Sequence, residues 1–180
     1  VEDSRRFYSL FLPQLYQELM EQTGSLAGEG LSLHHKVLRR RARAKILLAT
    51  DMEQAQYFYK QYSKHIIGLI TDAAYPWKDK HNSSAGSELI KIVKQDNYDV
   101  PIIMQSSLPE NRKIAEELNA DFLDKSDSGL LKGIRTFMRE KLGFGDFVFR
   151  DSEGNEVGRA KDIGEMIDLL PYIDSISLKY

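Results

Sequence analysis

Five side chains that could together handle a phosphoryl group stand at the borders of apolar runs: Glu2, Asp3, Asp72, Ser106 and Lys125. Three carboxylates at one place would repel one another unless a divalent cation lay among them, and their oxygens suit Mg²⁺. A carboxylate beside Mg²⁺ can attack phosphorus while a lysine and a hydroxyl bind the remaining phosphoryl oxygens. The residue types therefore predict that Asp72 accepts a phosphoryl group.

These side chains can meet if their strands are parallel, because parallel strands end at one edge of a sheet. Short apolar runs predict buried strands at 45–51, 65–72, 100–104 and 120–123, and Glu2 is expected at the end of a further strand. Helical patterns lie at 4–22, 53–62, 87–95, 110–118 and 130–142. This alternation predicts a doubly wound α/β fold with a parallel five-stranded sheet.

The 180 residues suit one domain with a small appendage. Residues 1–142 are expected to form the α/β domain, with an enlarged first helical region and an insertion at about 23–44 that includes a polar helix. Beyond Gly143, two short strands flank a turn at 151–155, and a helix follows. The segment 143–180 is therefore predicted to be a ββα appendage or linker, closed by a strand at 175–180.

Composition excludes several classes of protein. The 25 basic and 27 acidic side chains leave a net charge of −2, so neither nucleic acid nor a membrane surface is expected as a partner. The absence of cysteine excludes disulfides and thiol chemistry, and is compatible with the cytoplasm. Apolar runs of about five residues are too short to cross a bilayer. We expect a cytoplasmic protein.

The order of the five side chains resembles that of a known family, the receiver domains of two-component response regulators. The acidic pair Glu2-Asp3, then Asp72 after an apolar run, Ser106 after the next and Lys125 after the last occur in the family's order. The resemblance covers residues 1–142. It implies the receiver, or flavodoxin-like, fold and a role in two-component signalling and phosphorelay.

The resemblance also implies a role for each site residue. Asp72 would be the phosphoacceptor. The Mg²⁺ ligands would be Glu2, Asp3, Asp72 and the backbone carbonyl of Ala74. The switch hydroxyl, the phosphate-binding lysine and the switch aromatic would be Ser106, Lys125 and Phe122. The chain would then not be an enzyme, except that it would catalyse the phosphorylation and dephosphorylation of its own aspartate.

The implied partner is a histidine kinase or a phosphotransfer protein, with an attached effector reading the phosphorylated state. The tail from Gly143 to Phe147 is similar to receiver-like N-terminal regions of phosphoenolpyruvate synthase or pyruvate phosphate dikinase-type fusion proteins. The similarity implies that the chain is a fragment fused to such an enzyme domain. A homodimer is a further possible assembly.

The sequence also departs from the family. The segment between Asp3 and Lys45 is longer than usual, the loop after Asp72 is lengthened by 78–84, and Ser126 follows Lys125 where a proline is common. These departures keep a second hypothesis open, a phosphorylation-independent pseudo-receiver that acts as an interaction or dimerisation module.

A third hypothesis, an α/β enzyme or nucleotide-binding domain, is weaker because the sequence has no glycine-rich fingerprint and no Walker motif. Single residues also have simpler interpretations. Asp72 could cap the following helix, Asp51 is interpreted as an N-cap, Lys125 could be solvated, and the basic cluster 39–43 suits a solvated helix end.

Overall fold

The computed structural model describes residues 1–28, 44–151, 153–160 and 163–173. The chain divides into two compact units, Val1–Arg135 and Thr136–Tyr180. The predicted polar helix of the insertion and the predicted strand at 175–180 lie outside the described residues. Among the described residues, no helix is both long and apolar enough to cross a membrane.

Helices and strands alternate along the first unit, as predicted. In chain order the elements are α1 (Arg5–Gly28), α2 (Met52–Tyr62), a 3₁₀ turn (Ser63–His65), β1 (Leu69–Asp72), β2 (Tyr75–Trp77), β3 (Lys80–Asn82), α3 (Ala85–Asp96), β4 (Ile102–Ser106), α4 (Asn111–Glu117), β5 (Asp121–Asp124), α5 (Leu130–Thr136), a π-helical turn (Phe137–Lys141), β6 (Phe147–Arg150), β7 (Glu156–Ala160) and α6 (Ile163–Ile173).

The main sheet has three parallel strands among the described residues, in the order β1-β4-β5, so the α/β class is confirmed and the count of five strands is wrong. The predicted strand at 45–51 is not regular. Its Ala49 oxygen accepts a hydrogen bond from the Glu2 amide at 3.0 Å, and the Asp72 amide donates to the Val1 oxygen at 2.9 Å. These isolated bonds keep residues 45–51 beside Val1–Glu2, and Val1–Glu2 beside β1, without building a ladder.

Helices cover both faces of this sheet. Successive strand residues point to opposite faces. Leu69, Ile102 and Met104 pack on the face of α2, α3 and α4, together with buried side chains from those helices: Met52, Ala55, Leu89, Ile90, Val93 and Ala115. This cluster is the larger part of the core.

The opposite face carries α1 and α5. Ile70 and Leu123 pack there with Phe11 of α1 and with Ile134 of α5, which is fully buried. Phe7, Phe11 and Leu15 of α1 thus form the face that packs on the sheet. Although proline lacks an amide donor, the helix continues through Pro13 to Gly28.

The lengthened loop after β1 is a β-hairpin rather than an irregular loop. β2 and β3 pair antiparallel, and the two residues between them, Lys78 and Asp79, have φ angles of 53° and 58°. Two consecutive positive φ angles are typical of the tight turn that suits strand twist. Because neither residue is glycine, the usual sequence signal of such a turn is missing.

The second unit contains the predicted hairpin and helix. β6 and β7 pair antiparallel with an irregularity between Phe149 and Arg150, and α6 follows β7. The Asp151 carboxylate accepts bonds from the Glu153 and Asn155 amides at 2.9 Å each. The hydrogen bond from Asn155 is the main cause that lowers the pKa of Asp151.

Candidate functional site

The site lies at the edge of the sheet where the parallel strands end. Asp72 is the last residue of β1, Ser106 is the last of β4, and Lys125 follows β5. The register aligns Asp72 with Gln105, and the Lys125 amide donates to the Ser106 oxygen at 3.0 Å. Topology thus brings the predicted residues of three strands to one edge.

Lys125 joins the two acidic parts of the site. Its ammonium lies 2.6 Å from Glu2 Oε2 and 2.5 Å from Asp72 Oδ2. The side chains of Lys125 and Glu2 are each 5% exposed and that of Asp72 is 14% exposed, so solvent screens these charges little. The interpretation of Lys125 as a solvated lysine is therefore wrong.

The backbone supports the two carboxylates from their other sides. The Ser4 amide donates to Glu2 Oε1 at 3.2 Å, and the Ala73 amide donates to Asp72 Oδ1 at 2.7 Å. The simple helix-cap interpretation does fit Asp51, whose carboxylate accepts from the Gln54 amide at 2.8 Å. Asp72, by contrast, is held by a buried lysine.

The three predicted carboxylates form one cluster. Ligand oxygens of Glu2, Asp3 and Asp72 all lie within 4.8 Å of one another, with Glu2 buried and the other two half-buried. An ionised carboxylate has about four acceptor positions on its two oxygens, so Lys125 and the amides leave room for further partners. This all-oxygen donor set fits a hard divalent cation such as Mg²⁺.

Burial changes the acid strength of Glu2. Loss of solvation disfavours its charged form and raises its pKa above the ordinary 4.5, and the Asp72 charge acts in the same direction. The hydrogen bond and the charge of Lys125 oppose this change without cancelling it. Glu2 thus gives up its proton less readily than an exposed glutamate.

The two predicted switch residues both contact α4. Ser106 Oγ accepts bonds from the Leu108 amide at 3.1 Å and from the side-chain amide of Asn111 at 2.8 Å. The Arg112 guanidinium lies 4.7 Å from the centre of the Phe122 ring. Asn111 and Arg112 are neighbours at the start of α4, so one helix turn holds both switch side chains.

Ala74, whose carbonyl is the fourth predicted metal ligand, lies between β1 and the hairpin. The next residue, Tyr75, is fully buried and its hydroxyl donates to the Ala85 oxygen at 3.2 Å. Burial raises the pKa of Tyr75 to about 12, so the hydroxyl keeps its proton. This anchor fixes the loop that carries Ala74.

Gly86 allows α3, the helix after the hairpin, to approach the end of β1. A Cβ at Gly86 would lie 2.2 Å from the backbone carbonyl oxygen of Asp72 and 2.9 Å from the Ala73 Cα. The Gly86 amide also donates to the Ala73 oxygen at 3.0 Å. Only a residue without a side chain fits between α3 and the end of β1.

Three residues of this region were not among the predicted site residues. Phe7 lies under the Lys125 ammonium, 4.4 Å from it, and Asn111 holds Ser106. Gln105 is 1% exposed, and its amide nitrogen has no partner among the described residues, which makes it an available donor at the strand end. Spacing alone could have indicated only Gln105, as a polar residue in an apolar run.

Comparisons with known proteins give no match: no family model, no curated protein and no solved structure matches this chain.

Gly86→Ala tests the close approach of α3. The added methyl group collides with backbone atoms that cannot rotate away, so we expect a loss of about 1–3 kcal/mol in the free energy of unfolding. Gly129→Ala is the matched control, because a Cβ at Gly129 would lie no closer than 3.5 Å to the Asp127 carboxylate, an ordinary contact distance. This variant should be neutral or slightly stabilising. Urea unfolding measures both, and equal effects would contradict the close contact.

Glu2→Gln tests the buried charge. A raised pKa in the folded state means that the Glu2 contribution to stability is present below pH 4.5 and is lost as pH rises through the folded pKa. Glutamine does not titrate, so the variant should gain stability relative to the parent chain between pH 4 and neutrality. Urea unfolding across this range, with chelator present, measures the difference. A difference that is constant or falls with pH contradicts the account.

Proposed function

We propose that this chain is a receiver domain that accepts a phosphoryl group on Asp72 with the help of Mg²⁺ and thereby switches an attached effector. The observation that carries the proposal is the bridge from Lys125 to Asp72 and Glu2, set among three carboxylates where parallel strands end. A nucleophile, a cation site and a phosphate-binding ammonium then lie within one small volume.

The arrangement of the backbone supports the same proposal. Hydrogen bonds order five segments across the first unit as 45–49, then Val1–Glu2, β1, β4 and β5. In a flavodoxin-like sheet the first strand lies between the second and third, and ligands bind where the strand order reverses. The acidic cluster lies at this reversal, between Glu2 and the end of β1.

The chemical step requires an activated phosphoryl donor. An Asp72 oxygen attacks phosphorus, the bond from phosphorus to the donor's leaving group breaks, and an acyl phosphate forms as that group departs with the electron pair. Mg²⁺ held by Glu2, Asp3, Asp72 and the Ala74 carbonyl would neutralise the phosphoryl oxygens. Lys125 would turn from the Asp72 carboxylate to a phosphoryl oxygen, which carries more negative charge.

Ser106 supplies the change of state in this proposal. Its oxygen accepts two hydrogen bonds, so its own proton is free to be donated to an anion. Rotation of the hydroxyl towards a phosphoryl group would weaken the bond from Asn111. Because Arg112 on the same turn contacts Phe122, α4 is the element expected to respond.

The proposed donor in the cell is a histidine kinase or a phosphotransfer protein, and the effector is a fused phosphoenolpyruvate or pyruvate-utilising enzyme domain. A phosphohistidine suits the acceptor because its imidazole is a good leaving group, while Mg²⁺ and Lys125 would reduce the repulsion between the Asp72 carboxylate and the phosphoryl oxygens. The domain itself would then catalyse only its own phosphorylation and dephosphorylation.

Incubation with acetyl phosphate and Mg²⁺ tests the proposal. The parent chain should gain the mass of one phosphoryl group, whereas Asp72→Asn should gain none, because an amide cannot form the acyl phosphate. Asp51→Asn is the matched control, since asparagine also caps a helix and the residue belongs to α2 rather than to the site. It should be labelled like the parent chain. Intact-mass spectrometry reads all three.

Removal of Mg²⁺ with a chelator should abolish the gain in mass. Absence of labelling in the parent chain, while a known receiver domain is labelled in the same mixture, would disprove the phosphoacceptor function. Labelling of Asp72→Asn to the same extent would show that another residue reacts.

A phosphorylation-independent interaction module is the second candidate. The specific observation in its favour is that Lys125 already bonds to two of the three carboxylates, which lowers the need for a bound cation. In this case Asp72→Asn and the parent chain would have the same oligomeric state in sedimentation, with and without acetyl phosphate. A shift in the parent chain alone favours the receiver.

A further inference from the structure

Phe7 contacts the group on which the proposed function depends. The Lys125 ammonium lies 4.4 Å from the centre of the Phe7 ring. An ammonium within about 6 Å of a ring centre is attracted by the negative face of the ring, and the attraction grows when water is excluded. With a side chain 5% exposed, Lys125 meets that condition.

The rest of the fold holds this ring in place. Phe7 lies in the first turn of α1, where its amide donates to the Ser4 oxygen at 3.1 Å. It stacks on Phe11, one turn further along, with ring centres 5.9 Å apart. Phe11 is buried against Leu130 and Ile134 of α5, so the ring rests on a packed core.

The ring also differs in kind from the other partners of the lysine. Glu2 and Asp72 each bind one N–H of the ammonium through a directed hydrogen bond. An aromatic face attracts the whole cation and leaves its N–H groups free to change partners. The lysine could therefore exchange the Asp72 oxygen for a phosphoryl oxygen without leaving the ring.

We propose that Phe7 is a positioning residue that holds the Lys125 ammonium over the acidic cluster and keeps water from it. This inference rests on the proposed phosphoacceptor function for its purpose, and on the contact between ring and ammonium for its physical basis. The Arg6 guanidinium, 5.8 Å from the same ring, is a more distant second cation. Phe7 thus acts on phosphoryl transfer through Lys125.

A double-mutant cycle tests the contact without any phosphoryl donor. Phe7→Leu removes the aromatic face and keeps an apolar side chain, and Lys125→Met removes the cation. The coupling between these two changes should alter the equilibrium constant of unfolding by about 5- to 30-fold. The same cycle with Phe58→Leu, the identical change at a partly buried phenylalanine of α2 on the other face of the sheet, should show a coupling factor near one. Urea unfolding of the single and double variants supplies the constants.

Labelling with acetyl phosphate tests the role. Phe7→Leu should raise the acetyl phosphate concentration that gives half the maximal labelling rate. Phe7→Trp should have the same half-maximal concentration as the parent chain, because indole keeps the aromatic face. Phe58→Leu should label like the parent chain. If Phe7→Leu folds poorly, Phe7→Tyr, which keeps the ring, should fold and label like the parent.

The outcomes separate the two proposals. Strong coupling of Phe7 with Lys125, in a chain that accepts no phosphate, would support the positioning role and disprove the phosphoacceptor function. Normal labelling by Phe7→Leu, together with a coupling to Lys125 no greater than that of Phe58, would overturn the role of Phe7 and leave the phosphoacceptor function standing.

Discussion

The site depends on one buried cation, the Lys125 ammonium that binds Glu2 and Asp72 together. Without it, three carboxylates within 4.8 Å would repel one another in a place that water screens weakly. The same contact joins the chain after β5 to the end of β1 and to the segment before α1. The lysine therefore joins three segments of the chain at the strand ends.

The charge balance around Lys125 explains how the same site could hold both a metal ion and a phosphoryl group. One lysine does not neutralise three ionised carboxylates, which is the basis for proposing a further cation among them. A divalent cation together with the lysine would balance the three carboxylates, so an incoming phosphoryl group would meet no net negative charge. Ser106 ends β4, Phe122 lies within β5, and α4 contacts both side chains.

The sequence was sufficient to predict the convergence of Glu2, Asp3, Asp72 and Lys125, because apolar runs that alternate with helices indicate parallel strands whose ends meet. It could not predict whether the run at 45–51 forms a regular strand, since a ladder depends on the partner segment. The hairpin after β1 lacked a glycine turn signal. The contact of Phe7 with Lys125 joins residues far apart in sequence, so no local pattern indicates it.

The most direct test of the central claim is the chemical identity of the phosphorylated residue. Borohydride reduces an aspartyl phosphate to homoserine, and digestion with peptide mass spectrometry then locates the reduced residue. After incubation with Mg²⁺ and acetyl phosphate, the account predicts homoserine at position 72 in the parent chain and at no position in Lys125→Met under conditions of brief labelling. Reduction at another aspartate, or at none, would contradict it.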